Sequence, residues 1–192
     1  WVNYLSPPAV YGDRSGGVAS EFDEPTPTSK RGERRLAAER AWIDTFSDTR
    51  VSVQIMRIAG IYGPGRSVIE QVAAGRARII EKEGQVFNRI HVDDIGTSLI
   101  ASMLRPNDKR IYNLADGNPC ASGDVKRYAS KLLPVEPPTP IKFEDAQLSD
   151  MARSFYSECK ILETSRLRNE LLVNLRYPSY KEGLRQILQD IN

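Results

Sequence analysis

The 192-residue sequence holds a single histidine, His91, and two cysteines, Cys120 and Cys159. One imidazole and two thiols without a Cys-x-x-Cys spacing exclude the usual zinc sites, so no metal ligands are assigned. The thiols read as free and buried or half-buried. That usage fits a reducing compartment, whether cytoplasm or the interior of a plastid or mitochondrion. No apolar run approaches the ~20 residues that span a bilayer, and no signal-peptide pattern opens the sequence, so a soluble protein is expected. Charge of one sign is also scarce in excess: 27 Lys and Arg against 25 Asp and Glu leave a net charge of +2. The whole chain therefore makes no case for binding nucleic acid or a membrane surface.

What is present suits a packed domain, with 40% hydrophobic and 27% charged residues. Strand patterns alternate with helix patterns. "WVNYLS" (1–6) reads as a strand, and a Gly-, Pro- and Ser-rich loop follows over 12–32. Residues 33–48 form a helix in which Leu36 and Ile43, with Ala38, Trp42 and Phe46, give one apolar stripe. Thr28 or Ser29 is expected to cap it. Strands are expected over 50–63, 78–83, 86–92 and 110–116. Helices are expected over 67–77, over 92–106 with Asp93 or Asp94 as cap, and over 122–133 with Ser122 or Asp124 as cap. "PVEPPTP" (134–140) is a stiff connector, and the remainder is expected to be mostly helical. This order predicts an α/β protein with a parallel sheet. Residues 1–133 form the main domain with segments of a second lobe interleaved, and residues 134–192 a small C-terminal helical lobe. A strand-like run that already starts at Trp1 fits a processed product or a fragment.

Six stretches, "YLSPPAVYGD", "RGERRLAAERAW", "QIMRIAGIYGPGR", "NRIHVDDIGTSL", "IYNLADGNP" and "LRYPSYKEGL", follow one another across the chain. In order and spacing they resemble an atypical branch of the extended short-chain dehydrogenase/reductases, the NAD-dependent epimerase/dehydratase-like family. The resemblance implies a Rossmann-like parallel sheet and a cofactor of the NAD or NADP type. It covers only the C-terminal two-thirds of such a domain. The Gly-rich turn that seats a pyrophosphate at a helix N-terminus has no counterpart here, because Gly12, Gly16 and Gly17, and Gly60, Gly63 and Gly65, are wrongly spaced. An incomplete parallel sheet would leave an open edge, so a further stretch of polypeptide or other protein subunits are expected to cover it.

The resemblance also locates the catalytic positions and shows them altered. The substrate-polarising Ser or Thr falls on Pro7, with Ser6 a possible substitute. The acid/base Tyr falls on Arg31 and its Lys partner on Arg35. Arginine stays protonated and cannot replace a phenol in proton transfer, although Arg35 can still contact a ribose or phosphate. Ile58, Ala59 and Ile61 are the implied contacts beneath a nicotinamide. Tyr11, Gly60, Phe87 and Arg89 fall on the substrate side, with Phe87 where sugar-nucleotide enzymes keep a diphosphate-binding Arg. Lys30, Arg31, Arg34, Arg35 and Arg40 form a basic cluster. It reads as a solvated helix face paired with Glu33 and Glu39, or as a grip for the 2′-phosphate of NADP or another anion. It has no interleaved aromatics, so nucleic acid is not expected. His91 is expected to be a structural hydrogen-bonder.

The expected function is a catalytically degenerate NAD(P)-binding protein serving as a structural or binding subunit of a larger assembly. The alternatives are an active NAD(P)-dependent oxidoreductase or epimerase whose remaining part lies outside this sequence, and an NAD(P) sensor without turnover.

Overall fold

The computed structural model describes residues 1–191. In chain order its first half contains β1 (Val2–Ser6), a 3-10 turn (Pro8–Tyr11), β2 (Val18–Ala19), α1 (Lys30–Thr45), β3 (Val53–Ile58), β4 (Gly60–Tyr62), α2 (Val68–Ala73), β5 (Ile80–Glu81) and β6 (Arg89–His91). Then come α3 (Val92–Leu104), β7 (Arg110–Leu114), α4 (Ser122–Leu132), β8 (Ile141–Lys142), α5 (Asp150–Ser154), β9 (Ile161–Leu162), α6 (Ser165–Asn169) and α7 (Tyr180–Ile191).

Every strand pair is parallel. The central sheet runs β1-β3-β7, and β2-β9, β4-β6 and β5-β8 form short satellite pairs. The fold is Rossmann-like α/β, as the alternating pattern implies. All six residues of β3 are buried, which is what a middle strand covered on both faces requires. The β-rich run expected over 50–63 is two strands rather than one. Ala59 hands the chain over by donating to the Leu114 carbonyl, at 2.9 Å, and β4 then pairs with β6. One core lies against the central sheet, built on Met56, Tyr112, Leu114, Leu167 and Leu171. A second is formed where α2, α4 and α7 meet, at Ile69, Val72, Val125, Leu184 and Ile187.

Several local expectations resolve differently. Ser29 does cap α1, its Oγ accepting from the Gly32 N–H at 3.1 Å. The stripe on α1 is only partly a core face: Leu36 packs against the core, but the fully buried residues are Gly32 and Glu39, while Trp42 remains exposed and stacks between Tyr4 and Phe46. The cap of α3 is His91, whose Nδ1 accepts from the Asp93 N–H. Asp94 instead accepts from the Arg176 and Tyr177 N–H groups at 2.7 and 3.0 Å, fastening the segment before α7 to α3. The start of α4 has no side-chain cap. Past residue 134, two short strands accompany the three helices, and β9 returns to pair with β2. This segment is thereby woven into the main domain.

Glu39 does not pair along its own helix. Its carboxylate holds the Arg57 guanidinium through two hydrogen bonds, 2.7 and 3.2 Å, with both side chains almost wholly buried. Arg57 also lies 4.5 Å above the Tyr11 ring, and Tyr11 donates to Asn113 Oδ1 at 2.8 Å. This pair bolts α1 to the middle strand. Glu39→Ala strands a buried guanidinium and should cost about 3–5 kcal/mol, whereas Glu39→Leu with Arg57→Met should recover most of that loss. Urea midpoints of the full-length protein check both values, and an unchanged midpoint for Glu39→Ala would refute the role.

Candidate functional site

The C-terminal ends of parallel strands are where α/β sheets present ligand sites, and two groups of residues gather there. The first surrounds the end of β1. Pro7 takes an extended conformation (φ −86°, ψ 154°) and Pro8 opens the 3-10 turn, so the prolines shape a turn that buries Val10 and Tyr11. The start of α1 abuts this turn, since a Cβ on Gly32 would lie 2.7 Å from the Ala9 carbonyl oxygen. Pro7, Arg31 and Arg35 are thereby brought to one corner. Arg31 is exposed, with no side-chain bond among the described residues. Arg35 donates to the Tyr4 hydroxyl at 3.2 Å. Ser6 is buried in register with Arg57, and its Oγ has no partner. The prolines and arginines of this corner can bind anions but cannot exchange a proton near neutral pH, while the Tyr4 hydroxyl that accepts from Arg35 brings a phenol to it.

Three expected contact residues are buried. Tyr11 is fully buried, burial pushes its phenol up, and its neighbours are Asn113 and Arg57. In this chain it packs within the core. Ile58 and Ala59 likewise sit in the core. Of the strip implied for a nicotinamide, Gly60 is exposed and Ile61 is 37% exposed. The flat apolar surface available to such a ring is therefore this pair.

The second group lies around β4, β6 and α4. Gly60 pairs in register with Arg89. A cavity of about 550 Å³ is lined by Phe87, Ser122, Arg127, Lys142 and Tyr156, among others, with Phe87 edge-to-face on Tyr156 at 5.3 Å. A smaller one of about 220 Å³ is lined by Ile61, Tyr62, Arg66, Gln71, Arg89 and Tyr180, among others. Gly60, Phe87 and Arg89 are thus brought together, while Tyr11 is not. Arg89 donates to the Phe87 and Cys120 carbonyls at 2.9 and 3.3 Å and sits 3.1 Å from Cys120 Sγ. Burial pushes the Cys120 thiol up, so it is not a ready thiolate.

Two titratable residues here, Asp116 and Lys126, escape sequence reasoning. Asp116 is 6% exposed, just beyond β7, with Oδ1 accepting from the Asn118 N–H and Oδ2 unpartnered. Burial pushes its carboxyl up to about 7, against the pull of Arg89. Lys126 donates to Ser122 Oγ at 2.7 Å, and burial, with the Arg89 charge, holds its ammonium down at about 8. Burial also holds His91 below the ordinary histidine range. Its ring lies 4.0 Å from that of Tyr177, which fits the structural role expected of it. The sequence signal for Asp116 was available: an acid at the end of a strand pattern, before Gly117.

No family model matches the chain. Protein YeeZ of Escherichia coli K12 is 30% identical over 178 residues, covering 92% of this chain and 58% of YeeZ. The solved structure of a conserved protein of unknown function from Silicibacter pomeroyi DSS matches with a TM-score of 0.94 and 44% identity, over 99% of this chain and 66% of that one. MoeE5, solved with NAD and either UDP-glucose or UDP-glucuronic acid, matches at 0.79 and 23% identity, over 99% of this chain and 65% of its own. UDP-glucuronic acid 4-epimerase from Bacillus cereus, in complex with NAD, matches at 0.75 and 18%, over 99% of this chain and 62% of its own. The chain has the epimerase/dehydratase-type Rossmann-like fold. It spans about 58% of YeeZ and 66% of the Silicibacter protein. No helix among the described residues is long and apolar enough to cross a membrane.

Within this fold the raised Asp116 gives a signed pH dependence. An Asp whose folded pKa of about 7 exceeds the unfolded value of about 3.9 contributes stability that is fully present below pH ~4 and lost as pH rises through 7. His91, held low, acts oppositely: its contribution is present above pH ~6.5 and lost as pH falls. Asp116→Asn should therefore gain stability relative to the natural protein between pH 4 and pH 8. Denaturant melts at both pH values measure this gain, and a pH-independent difference would contradict the assignment.

Proposed function

We propose that the protein carrying this chain binds NAD(P) and a nucleotide-linked sugar in the cleft of its epimerase/dehydratase-type fold without performing tyrosine-dependent hydride transfer there. In this reading it acts as a binding or structural subunit of a larger assembly. The observation that carries it is the corner at the end of β1, where Pro7, and Arg31 and Arg35 on the abutting start of α1, stand at the positions at which the resembled family keeps its Ser, Tyr and Lys. The ligand classes are taken from the relatives: MoeE5 was solved with NAD and UDP-sugars. Supporting features of the chain are the exposed Gly60 and Ile61 for a nicotinamide, the guanidinium of Arg35 for a ribose or phosphate, and the Phe87–Tyr156 cavity for a base.

The assembly role rests on β1. Its outer edge has no strand partner among the described residues, and Trp1, Leu5 and Trp42 beside it are exposed. An unpaired parallel edge with apolar residues on both faces is where a sheet continues. Further polypeptide, on the same chain or from a partner subunit, would pair there.

One observation favours a second reading, an active enzyme with relocated chemistry. Asp116 at about 7 and Lys126 at about 8 flank Arg89, and groups poised near neutrality suit acid–base work. Calorimetric titration of the full-length protein with NAD⁺, NADP⁺ and UDP-glucose, followed by a turnover assay, separates the two. Binding without turnover is expected. Turnover that survives unchanged in Asp116→Asn would overturn both readings, and turnover abolished by it would select the second. Pro7→Ser, Arg31→Tyr and Arg35→Lys combined should create no activity on UDP-glucose.

A further inference from the structure

We propose that Ser122 and Lys126, one helical turn apart at the start of α4, are a nucleophile and its base, and that they hydrolyse short-chain carboxylic esters held in the 550 Å³ cavity beside β5. This goes beyond the binding reading above, which uses the Phe87–Tyr156 wall of the same cavity and needs no reaction at Ser122.

The two side chains form a dyad. A spacing of four along a helix puts both on one face. Lys126 Nζ lies 2.7 Å from Ser122 Oγ, within reach for direct proton transfer. Ser122 lines the cavity and Lys126 does not, so the amine stands behind the hydroxyl and a ligand in front of it. Lys126 is half-buried and forms no ion pair among the described residues. An ammonium so placed ordinarily acquires a carboxylate, because a desolvated charge is unfavourable when left alone. Burial, with the Arg89 charge of β6, holds this one down at about 8. An appreciable fraction is therefore the free amine that a general base must be. Serine–lysine pairs replace serine–histidine pairs in some acyl-transfer sites.

The other groups packed about this helix start leave the pair to itself. Arg127 of α4 is paired with Glu81 of β5 and with Asp124. The Cys120 thiol and the phenols of Tyr156 and Tyr180 are pushed up by burial and stay neutral. Ile80, Phe87 and Tyr156 give the cavity an apolar wall for a small acyl or alkyl group. Ser122 is not spent on capping: α4 starts without a side-chain cap, and Gly123 and Asp124 line the cavity beside Ser122. First-turn N–H groups have no intrahelical acceptor, so they are donors for an oxyanion.

In the reaction the Lys126 amine takes the Ser122 proton as Oγ bonds to the ester carbonyl carbon. The carbonyl electron pair moves onto oxygen, and on its return the bond to the alcohol oxygen breaks. Lys126 gives its proton to the leaving alkoxide. Water then attacks the acyl-serine and loses a proton to Lys126, which returns it to Ser122 Oγ as the acid leaves. Nothing is oxidised or reduced.

The test uses the full-length protein with p-nitrophenyl acetate and with a biotinylated fluorophosphonate, which bonds to a serine Oγ with loss of fluoride. Mass spectrometry of the digest reads which serine carries the label. The label is expected on Ser122, with saturable p-nitrophenol release whose rate rises with pH through about 8. Lys126→Arg keeps the charge but cannot take the proton, so labelling rate and kcat/KM should fall about 100-fold and the limb near pH 8 should vanish. Ser122→Ala should abolish both, and it removes no cap. Lys131→Arg, exposed on the same helix, should change neither. Urea midpoints confirm that each variant is folded; if Lys126→Arg is not, Ser122→Ala decides. An unlabelled Ser122, or p-nitrophenol release unchanged in Ser122→Ala, overturns the proposal. Titration with NAD⁺ and UDP-glucose is read separately, so the binding reading can fail or stand without moving this result.

Discussion

A guanidinium buried in the middle strand of a parallel sheet dictates much of what surrounds it. Arg57 is 1% exposed, and an unpaired charge at that depth would be intolerable. Glu39 supplies the pairing, which fixes where α1 crosses the sheet. The Tyr11 ring covers the guanidinium, and this requires the chain after β1 to fold back at once. Pro7 and Pro8 make that fold. The same two prolines that remove a hydroxyl from the corner thus also roof an ion pair. Side-chain chemistry at the corner and packing beneath it answer to one constraint.

The second organising device is a set of bonds that tie late segments to early ones. Asp94 in α3 holds the backbone at Arg176 and Tyr177, and Asn88 receives the Leu162 N–H while donating to the Lys160 carbonyl. Asn113 in β7 donates to the carbonyls of Ala19 and Glu163. These amides and carboxylates replace the long ladders that the two-residue strands β2 and β9 cannot make. They also set the walls of the cleft, because Phe87, Arg89 and Tyr156 stand on the segments so joined.

Much of the fold was legible because parallel α/β units have strong periodic signatures. The central strands, α3, α4 and the Ser29 cap all fall near their expected places. Of the two-residue strands, β5 falls inside the run expected over 78–83, whereas β2, β8 and β9 were not legible, since a pattern of period two needs four or more residues to register. The α1 stripe misled for a different reason. Apolar spacing reports a helix face but not what covers it, and here the buried position on that helix is a glutamate. Arg57 inside "VSVQIMRIAG" was the available clue, a charge within a run that otherwise reads as wholly buried. At the site, residue identity at Pro7, Arg31 and Arg35 was readable and burial was not. The burial of Tyr11, Ile58 and Ala59, and that of Asp116 beside Arg89, therefore needed coordinates.

The loop between β1 and α1 depends on residues far along the chain. The Cys159 N–H donates to the Asp13 carboxylate across 146 positions, and Thr28 meets Glu158 across 130. Among the described residues β2 pairs with β9 alone. During synthesis this loop emerges early and waits for its partners until residue 162 has been made. Contacts of such separation are slow to form, because chain entropy must be surrendered before they stabilise anything. The β2–β9 pair and the loop it anchors therefore carry a larger entropic cost of closure than contacts within the helices.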